Sequence, residues 1–276
     1  MWRSLLFVPV LEDRLVRGAG RRGADTIVFD LEAAVPSDRK DEARARLAAV
    51  ISRLSGNDTP VAVRVNRGKD GGKKDIAAAV GAGAEIIVLP RASPATTARA
   101  AALAGHAVPL IPLVEDPRGV IDALAIAEAA PSVAALGFGV EDYATDMGAP
   151  PTPELLLPAA FQVIQAARAA GRAPLVVPGT IADYRDLQRF EAAAGRARAL
   201  GATGGFAIHP GQVAVLNRTF APTPVEQETA RRIVAAAESA RRDGQAVASL
   251  GGRMIDAPVE ARAKAVLAQA KRQDRQ

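Results

Sequence analysis

Short apolar runs alternate with longer stretches rich in Ala, Arg and Glu along the chain. The runs are Leu5–Pro9, Thr26–Leu31, Val61–Val65, Glu85–Leu89, Leu110–Val114, Val133–Phe138, Leu175–Val177 and Gly205–Ile208. Each is dense in Val, Ile, Leu or Phe without polar alternation, which suits parallel strands buried on both faces. The stretches around them predict helices over Glu12–Arg22, Ser37–Leu54, Lys73–Gly81, Pro94–Ala104, Arg118–Ala129, Pro153–Ala170, Asp183–Leu200 and Pro224–Arg242. Ser37 and Thr152 stand where helix-starting oxygens belong. Gly23, Gly83, Gly105, Gly171 and Gly201 fall just past helix ends, where a left-handed cap suits glycine.

Eight strands, each followed by a helix, predict an α/β fold of the (β/α)8 TIM barrel type. The competitor is an open doubly wound sheet, which would want Gly-x-Gly-x-x-Gly after the first strand. Gly18-Ala19-Gly20 falls inside the first helix instead. The tail departs from the pattern. Gly251-Gly252 interrupts it, and Arg253–Pro258 leads into a last helix over Val259–Lys271. The barrel is therefore expected over residues 1–220. Residues 221–276 are expected to form a C-terminal helical arm, packed outside the ring or on a neighbouring subunit.

Composition narrows the chemistry. The 276 residues are 49% hydrophobic and 24% charged, ordinary for a folded chain with one large core. Cysteine is absent, which excludes disulfides, thiolate zinc sites and cysteine nucleophiles. Two histidines exclude a three-histidine metal site. A metal here would need oxygen ligands, which points to a hard ion such as magnesium. The net charge of +5 comes largely from arginines scattered through Ala-rich segments, such as Arg44, Arg46, Arg168 and Arg172, and reads as solvated surface. Aromatic residues, at 4%, are too few for a base-stacking platform. No apolar run approaches the roughly 18 residues of a membrane span, and the start reads as a strand, not a signal peptide. The expected location is the cytoplasm.

In a barrel of this type chemistry gathers at the C-terminal ends of the strands. There the sequence places Asp30-Leu31-Glu32, Val63-Arg64-Val65-Asn66, Leu89-Pro90-Arg91, Glu115, Gly137–Asp142 and His209-Pro210-Gly211-Gln212. Several carboxylates and one arginine are expected to share this rim. Glu115 and Asp142 form the best metal pair, with Glu141 and Asp146 competing for the second position. The alternative for Glu115 is a turn before Asp116-Pro117. Arg64, between two valines, is expected to point inward, where a guanidinium needs a carboxylate or a bound anion. It either polarises a substrate carbonyl or pairs with Asp30 or Glu32. Asp30 and Glu32 either orient Arg64 and metal waters or serve the turn. His209 and Asp256, each judged on local spacing alone, read as turn residues.

Taken together, these segments resemble the citrate lyase beta-subunit family of CoA-ester lyases, relatives of malyl-CoA lyase and malate synthase. The resemblance rests on Arg3–Pro9, Gly23-Ala24-Asp25 with Asp30-Leu31-Glu32, Val63–Asn66, Ile111–Glu115 with Arg118-Gly119, Phe138–Asp142, Ala207–Gln212 and Met254–Pro258, in the family's order. It implies a TIM barrel and a magnesium-dependent lyase, with Glu115 and Asp142 as metal ligands. Arg64 is implied as a substrate contact beside Glu115, Gly139, Val140 and Glu141, with Asp30 and Glu32 in support. Arg14, His209 and Gln212 are implied on the CoA side. Asp256 becomes the acid/base, brought by the arm and often donated by a neighbouring subunit of a homotrimer or multiple of trimers. The implied reaction is reversible Claisen-type cleavage of a short 3-hydroxy-dicarboxylic acyl thioester of the malyl, citramalyl or citryl type. Its products are an acetyl-CoA-like thioester and a 2-oxo acid. Whether CoA or an acyl carrier protein bears the thioester stays open. Val10, Asp13-Arg14, Gly18 and Ala33 depart from the family pattern, and they cluster near the expected CoA entrance. Two other readings remain. One is a metal-dependent pyruvate-type aldolase acting on free hydroxy-oxo acids without CoA. The other is a non-enzymatic basic subunit or nucleic-acid-binding module.

Overall fold

All eight apolar runs become parallel strands in the computed structural model, which describes residues 2–54, 59–245 and 247–273. The strands are β1 Ser4–Pro9, β2 Thr26–Asp30, β3 Val61–Arg64, β4 Ile86–Leu89, β5 Leu110–Val114, β6 Ala135–Phe138, β7 Ala173–Leu175 and β8 Gly205–Ala207. Their order is β7-β6-β5-β4-β3-β2-β1-β8, and a parallel bridge from Leu175 to Gly204 brings the two ends together. The sheet is thus a nearly closed barrel. Alternate side chains build two apolar layers. Leu5, Val28, Ala62, Val88 and Ile111 fill the interior. Ile27, Phe29, Val63, Ile87 and Leu110 pack outward beneath the helices. Both faces are apolar, so the sequence shows runs and not alternation.

The surrounding helices are α1 Asp13–Gly18, α2 Lys40–Ser52, α3 Lys69–Gly81, α4 Pro94–Ala104, α5 Pro117–Ile121, α6 Ala123–Glu128, α7 Val140–Asp146, α8 Pro153–Ala169, α9 Leu187–Leu200 and α10 Pro210–Thr219. Three of the departures from the sequence expectation have a local reason. The helix expected over Arg118–Ala129 breaks at Asp122, whose backbone leaves the helical region. The one expected from Asp183 starts at Leu187, because the Asp186 carboxylate caps it by accepting from the Arg189 amide at 2.9 Å. α10 occupies a stretch read as a turn, opened by Pro210 and a capping box between His209 and Gln212.

The described chain divides into two units, Met1–Phe220 and Ala221–Gln276. The second holds α11 Pro224–Arg242, an antiparallel hairpin of β9 Ala248–Leu250 and β10 Arg253–Ile255, and α12 Ala257–Gln273. The hairpin turns on Gly251 and Gly252, both at positive φ (59° and 77°), a conformation that favours glycine. Ala237, Ala240, Ala248 and Ile255 form its small core. Glu260 takes two bonds from Arg241, at 2.6 and 3.0 Å, which together with Lys264 hold its carboxyl down at about 2. Among the described residues no helix is long and apolar enough to cross a membrane.

Candidate active site

Parallel register sets Asp30 beside Arg64, and Arg64 beside Val88, at the C-terminal ends of β2, β3 and β4. Arg64 then forks onto Asp30, with Nε to Oδ1 at 2.8 Å and Nη2 to Oδ2 at 2.7 Å. Its third nitrogen lies 3.3 Å from Glu32 Oε2. The guanidinium sits 4.5 Å above the Phe7 ring, which stacks on Phe206 at 5.2 Å. Burial is the largest single influence and opposes its charge, but the Asp30 bonds together with the negative charges of Asp30, Glu32 and Glu115 outweigh it and keep the guanidinium ionised. Arg64 is therefore salt-bridged to Asp30, and it also lines a cavity of about 150 Å³ with Glu115, Gly139, Val140, Glu141 and Asp142.

Asp30, expected among the catalytic carboxylates, works differently. It is 2% exposed, and its oxygens also accept the Glu32 and Ala34 amides at 2.8 and 2.9 Å. It positions Arg64 and has no lone pair to offer a substrate easily. Glu32 is divided between Arg64 and Arg67. Behind them Lys40 donates to the Leu31 and Glu32 carbonyls, at 2.7 and 2.6 Å. Asn66 donates to the Leu31 carbonyl and to buried Asp75. Arg44, read as surface, completes this support by pairing with Asp75 at 2.7 Å.

Glu115 follows β5 directly and is 3% exposed. Its Oε2 accepts the Arg91 amide at 2.8 Å. Burial pushes its carboxyl up to about 7, against the Arg91 bond and with help from the negative charges of Asp142 and Glu32. Gly139 is shaped around it. A Cβ there would lie 2.5 Å from Glu115 Cγ and 2.6 Å from Oε1. Gly139→Ala should push Glu115 aside and weaken magnesium binding by about 10–100-fold with the fold retained. Calorimetric titration checks this, and unchanged affinity would take Glu115 off the metal.

The rim holds three arginines where one was expected. Arg67 bridges Glu32 and Asp142, each at 2.9 Å. Arg91 reaches Asp142 at 3.3 Å and grips Asp146 at 2.6 and 2.9 Å. Asp146, the competitor of Asp142, is thereby occupied. Glu141 accepts a hydrogen bond from the Thr180 hydroxyl. Arg91 is also the one non-glycine residue at positive φ (40°) among those described. That strained backbone aims its amide at Glu115. The Leu89-Pro90-Arg91 strand end hinted at Arg91; neither the sharp turn nor the role of Arg67 has a local signature.

The donor set fits a hard divalent cation. Three carboxylates line the cavity, Glu115, Glu141 and Asp142, and Glu115 is poorly stabilised as an anion until a cation adjoins it. No cluster of three or more acidic or histidine ligands stands ready among the described residues. That is the habit of magnesium, which takes one or two carboxylates and keeps waters or substrate oxygens for the rest of its shell.

A second cavity, of about 640 Å³, shares Phe7, Arg64 and Ile181 with the first and is lined further by Arg14, Arg22 and His209. A Cβ on Gly18 would lie 3.1 Å from the Arg22 guanidinium, so the departure at Gly18 makes room for a cation four residues on. His209 caps α10, its Nδ1 accepting the Gly211 amide at 3.0 Å, and its ring stacks on Tyr184. Gln212, expected on the CoA side, is fully buried. Its oxygen accepts the Ile208 and His209 amides, and its nitrogen donates to the Ile181 carbonyl at 2.9 Å. It shapes the loop and does not present its amide to a ligand. Asp256 belongs to the second unit, where its carboxylate accepts the Val259 amide at 3.0 Å and opens α12.

The sequence model of the HpcH/HpaI aldolase/citrate lyase family matches residues 3–210. Citrate lyase subunit beta of Escherichia coli (strain K12) is 33% identical over 283 residues, covering 97% of this chain and 93% of the relative. The (3S)-malyl-CoA thioesterase of Cereibacter sphaeroides (strain ATCC 17029 / ATH 2.4.9) is 33% identical over 258 residues, covering 92% and 90%. Among solved structures, CitE from Mycobacterium tuberculosis in complex with magnesium, acetoacetate and coenzyme A is 27% identical, with a TM-score of 0.77 and 97% of each chain covered. The chain belongs to the HpcH/HpaI aldolase/citrate lyase family and is an enzyme of it.

Proposed function

We propose that the protein is a magnesium-dependent carbon–carbon lyase that cleaves a short 3-hydroxy-dicarboxylic acyl thioester, reversibly, to an acetyl-CoA-like thioester and a 2-oxo acid. The observation that carries this reading is the convergence of buried Glu115, Asp142 and Arg64 on one cavity. Relatives at 33% identity named for citrate lyase and for a malyl-CoA thioester support the substrate class.

Glu115 and Asp142 would hold magnesium, which when bound would supply positive charge to the oxo-acid half of the substrate. The residues of the chain do the remaining work. Gly139, Val140 and Glu141 bound the space for that half. Arg64, held by Asp30, stabilises the oxygen whose charge changes as the carbon–carbon bond breaks. The cavity of Arg14, Arg22 and His209 takes the CoA side of the thioester. In condensation Asp256 removes a proton from the thioester methyl group and the new alkoxide takes one from water; in cleavage the hydroxyl proton passes to water as the carbon–carbon bond breaks and Asp256 returns a proton to the enolate carbon. In this reading the arm delivers Asp256 from a neighbouring subunit of a homotrimer.

Two measurements test the scheme. Among malyl-, citramalyl- and citryl-CoA, whichever is a substrate should be split only with magnesium present, and EDTA should stop the reaction. Cleavage of free hydroxy-oxo acids without a thioester would favour the aldolase reading. Asp256→Asn should slow deuterium exchange at the acetyl-CoA methyl group by about 100-fold or more, the usual scale of a lost general base. Binding of the 2-oxo acid should be unchanged. Exchange at the normal rate would require another base.

A further inference from the structure

The functional reading leaves three thioesters that differ in the group on the hydroxyl-bearing carbon: hydrogen, methyl or carboxymethyl. We infer that this cavity takes hydrogen or a short alkyl group there and rejects carboxymethyl, so that the product is a 2-oxo monocarboxylic acid and a citryl-type thioester is excluded. The inference rests on Glu115 and Asp142 holding the cation, and it narrows the substrate of that same site.

The walls carry the first argument. Away from its charged rim the cavity is bounded by Leu113, Leu175, Val177, Ile181 and Phe206. Leu113, Leu175 and Phe206 are part of the barrel's interior core. They have no slack. A Cβ on Gly137 would lie 2.4 Å from Leu113 Cδ2 and 2.8 Å from Phe206 Cε2, and one on Gly205 would lie 2.6 Å from Val177 Cγ2. Side chains packed this tightly against backbone cannot swing aside to admit a hydrated anion. A methyl or ethyl group would find ordinary apolar contacts there.

Charge carries the second argument. Three carboxylates line the cavity, Glu115, Glu141 and Asp142, against one cationic side chain, Arg64. Arg64 is already forked onto Asp30 and close to Glu32. Arg67 and Arg91 do not line the cavity and are engaged by Glu32, Asp142 and Asp146. A divalent cation balances two of the three acids, and the carboxylate next to the reacting carbon adds one negative charge. A second substrate carboxylate would lie against leucine, valine and phenylalanine, with no uncommitted cation among the residues that line this cavity. Losing water without gaining a partner is heavily unfavourable.

The test titrates the magnesium-loaded full chain with pyruvate, 2-oxobutyrate and freshly dissolved oxaloacetate, beside cleavage assays of the three CoA thioesters. Pyruvate and 2-oxobutyrate should bind within about 10-fold of one another, the scale of one methylene. Oxaloacetate should bind about 100-fold more weakly, and citryl-CoA should be the poorest substrate. Oxaloacetate binding as tightly as pyruvate, in a magnesium-dependent manner lost in Glu115→Gln, would overturn the inference and leave the lyase reading intact. If no 2-oxo acid binds in a magnesium-dependent manner, the assignment of the cation site falls and the inference falls with it.

Discussion

Glu115→Gln is expected to abolish magnesium-dependent turnover, by about 1,000-fold or more, while making the metal-free protein more resistant to heat at pH 8. The second half follows from burial. Glu115 has a folded pKa of about 7 against an ordinary 4.5, chiefly because burial disfavours its anion. The folded state therefore binds a proton more tightly than the unfolded one. Stability from this group is fully present below about pH 4.5, falls as pH rises, and is lost above about pH 7. Glutamine keeps the acceptor for the Arg91 amide and removes the charge, so the variant should gain up to about 3 kcal/mol above pH 7. Magnesium should raise the Tm of the native protein and leave that of the variant unmoved. Thermal unfolding at pH 5 and pH 8, with and without magnesium, reads all of this. A variant destabilised at both pH values, or still stabilised by magnesium, would remove Glu115 from the proposed role.

Arg64→Lys carries the second large effect. Lysine keeps one positive charge but cannot fork onto Asp30 at 2.8 and 2.7 Å, nor spread over the Phe7 ring. The kcat should fall by about 100–1,000-fold, the scale seen when one donor to a developing oxyanion is lost. Magnesium-dependent binding of the 2-oxo acid should change little. Arg64→Ala is a poorer probe, because it would leave Asp30 buried and unpaired at a cost of about 3–5 kcal/mol. Asp30→Asn offers a control: it keeps the shape, loosens the guanidinium, and should lower kcat less than Arg64→Lys does. Full activity in Arg64→Lys would make Arg64 a purely structural ion pair.

The departure at Gly18 shows how a local change acquires meaning from its surroundings. Read along the chain, Gly18 is a departure from the family pattern near the expected CoA entrance. In the fold, Arg22 lies over the bare glycine and lines the same cavity as Arg14. Arg44 teaches the converse: an arginine that reads as solvated surface is bound to fully buried Asp75.

The eight strands were legible in the sequence because each is buried on two faces, which leaves a dense apolar run in the chain itself. Glu115 was legible as a rim residue for the same reason, because it directly follows β5, whereas Asp142 lies in α7, four residues past the end of β6. Short-range patterning could go no further. The Asp30–Arg64 fork joins residues 34 apart and depends on the register of β2 against β3. The Arg91 amide reaches Glu115 through one left-handed backbone angle, which no side-chain periodicity records. The fate of Gln212 was set by which amides and carbonyls lay within reach once the Ile181 loop had packed. Patterns along a chain report which faces exclude water; only tertiary structure decides which charge answers which, because ion pairs and hydrogen bonds depend on distances between segments remote in sequence.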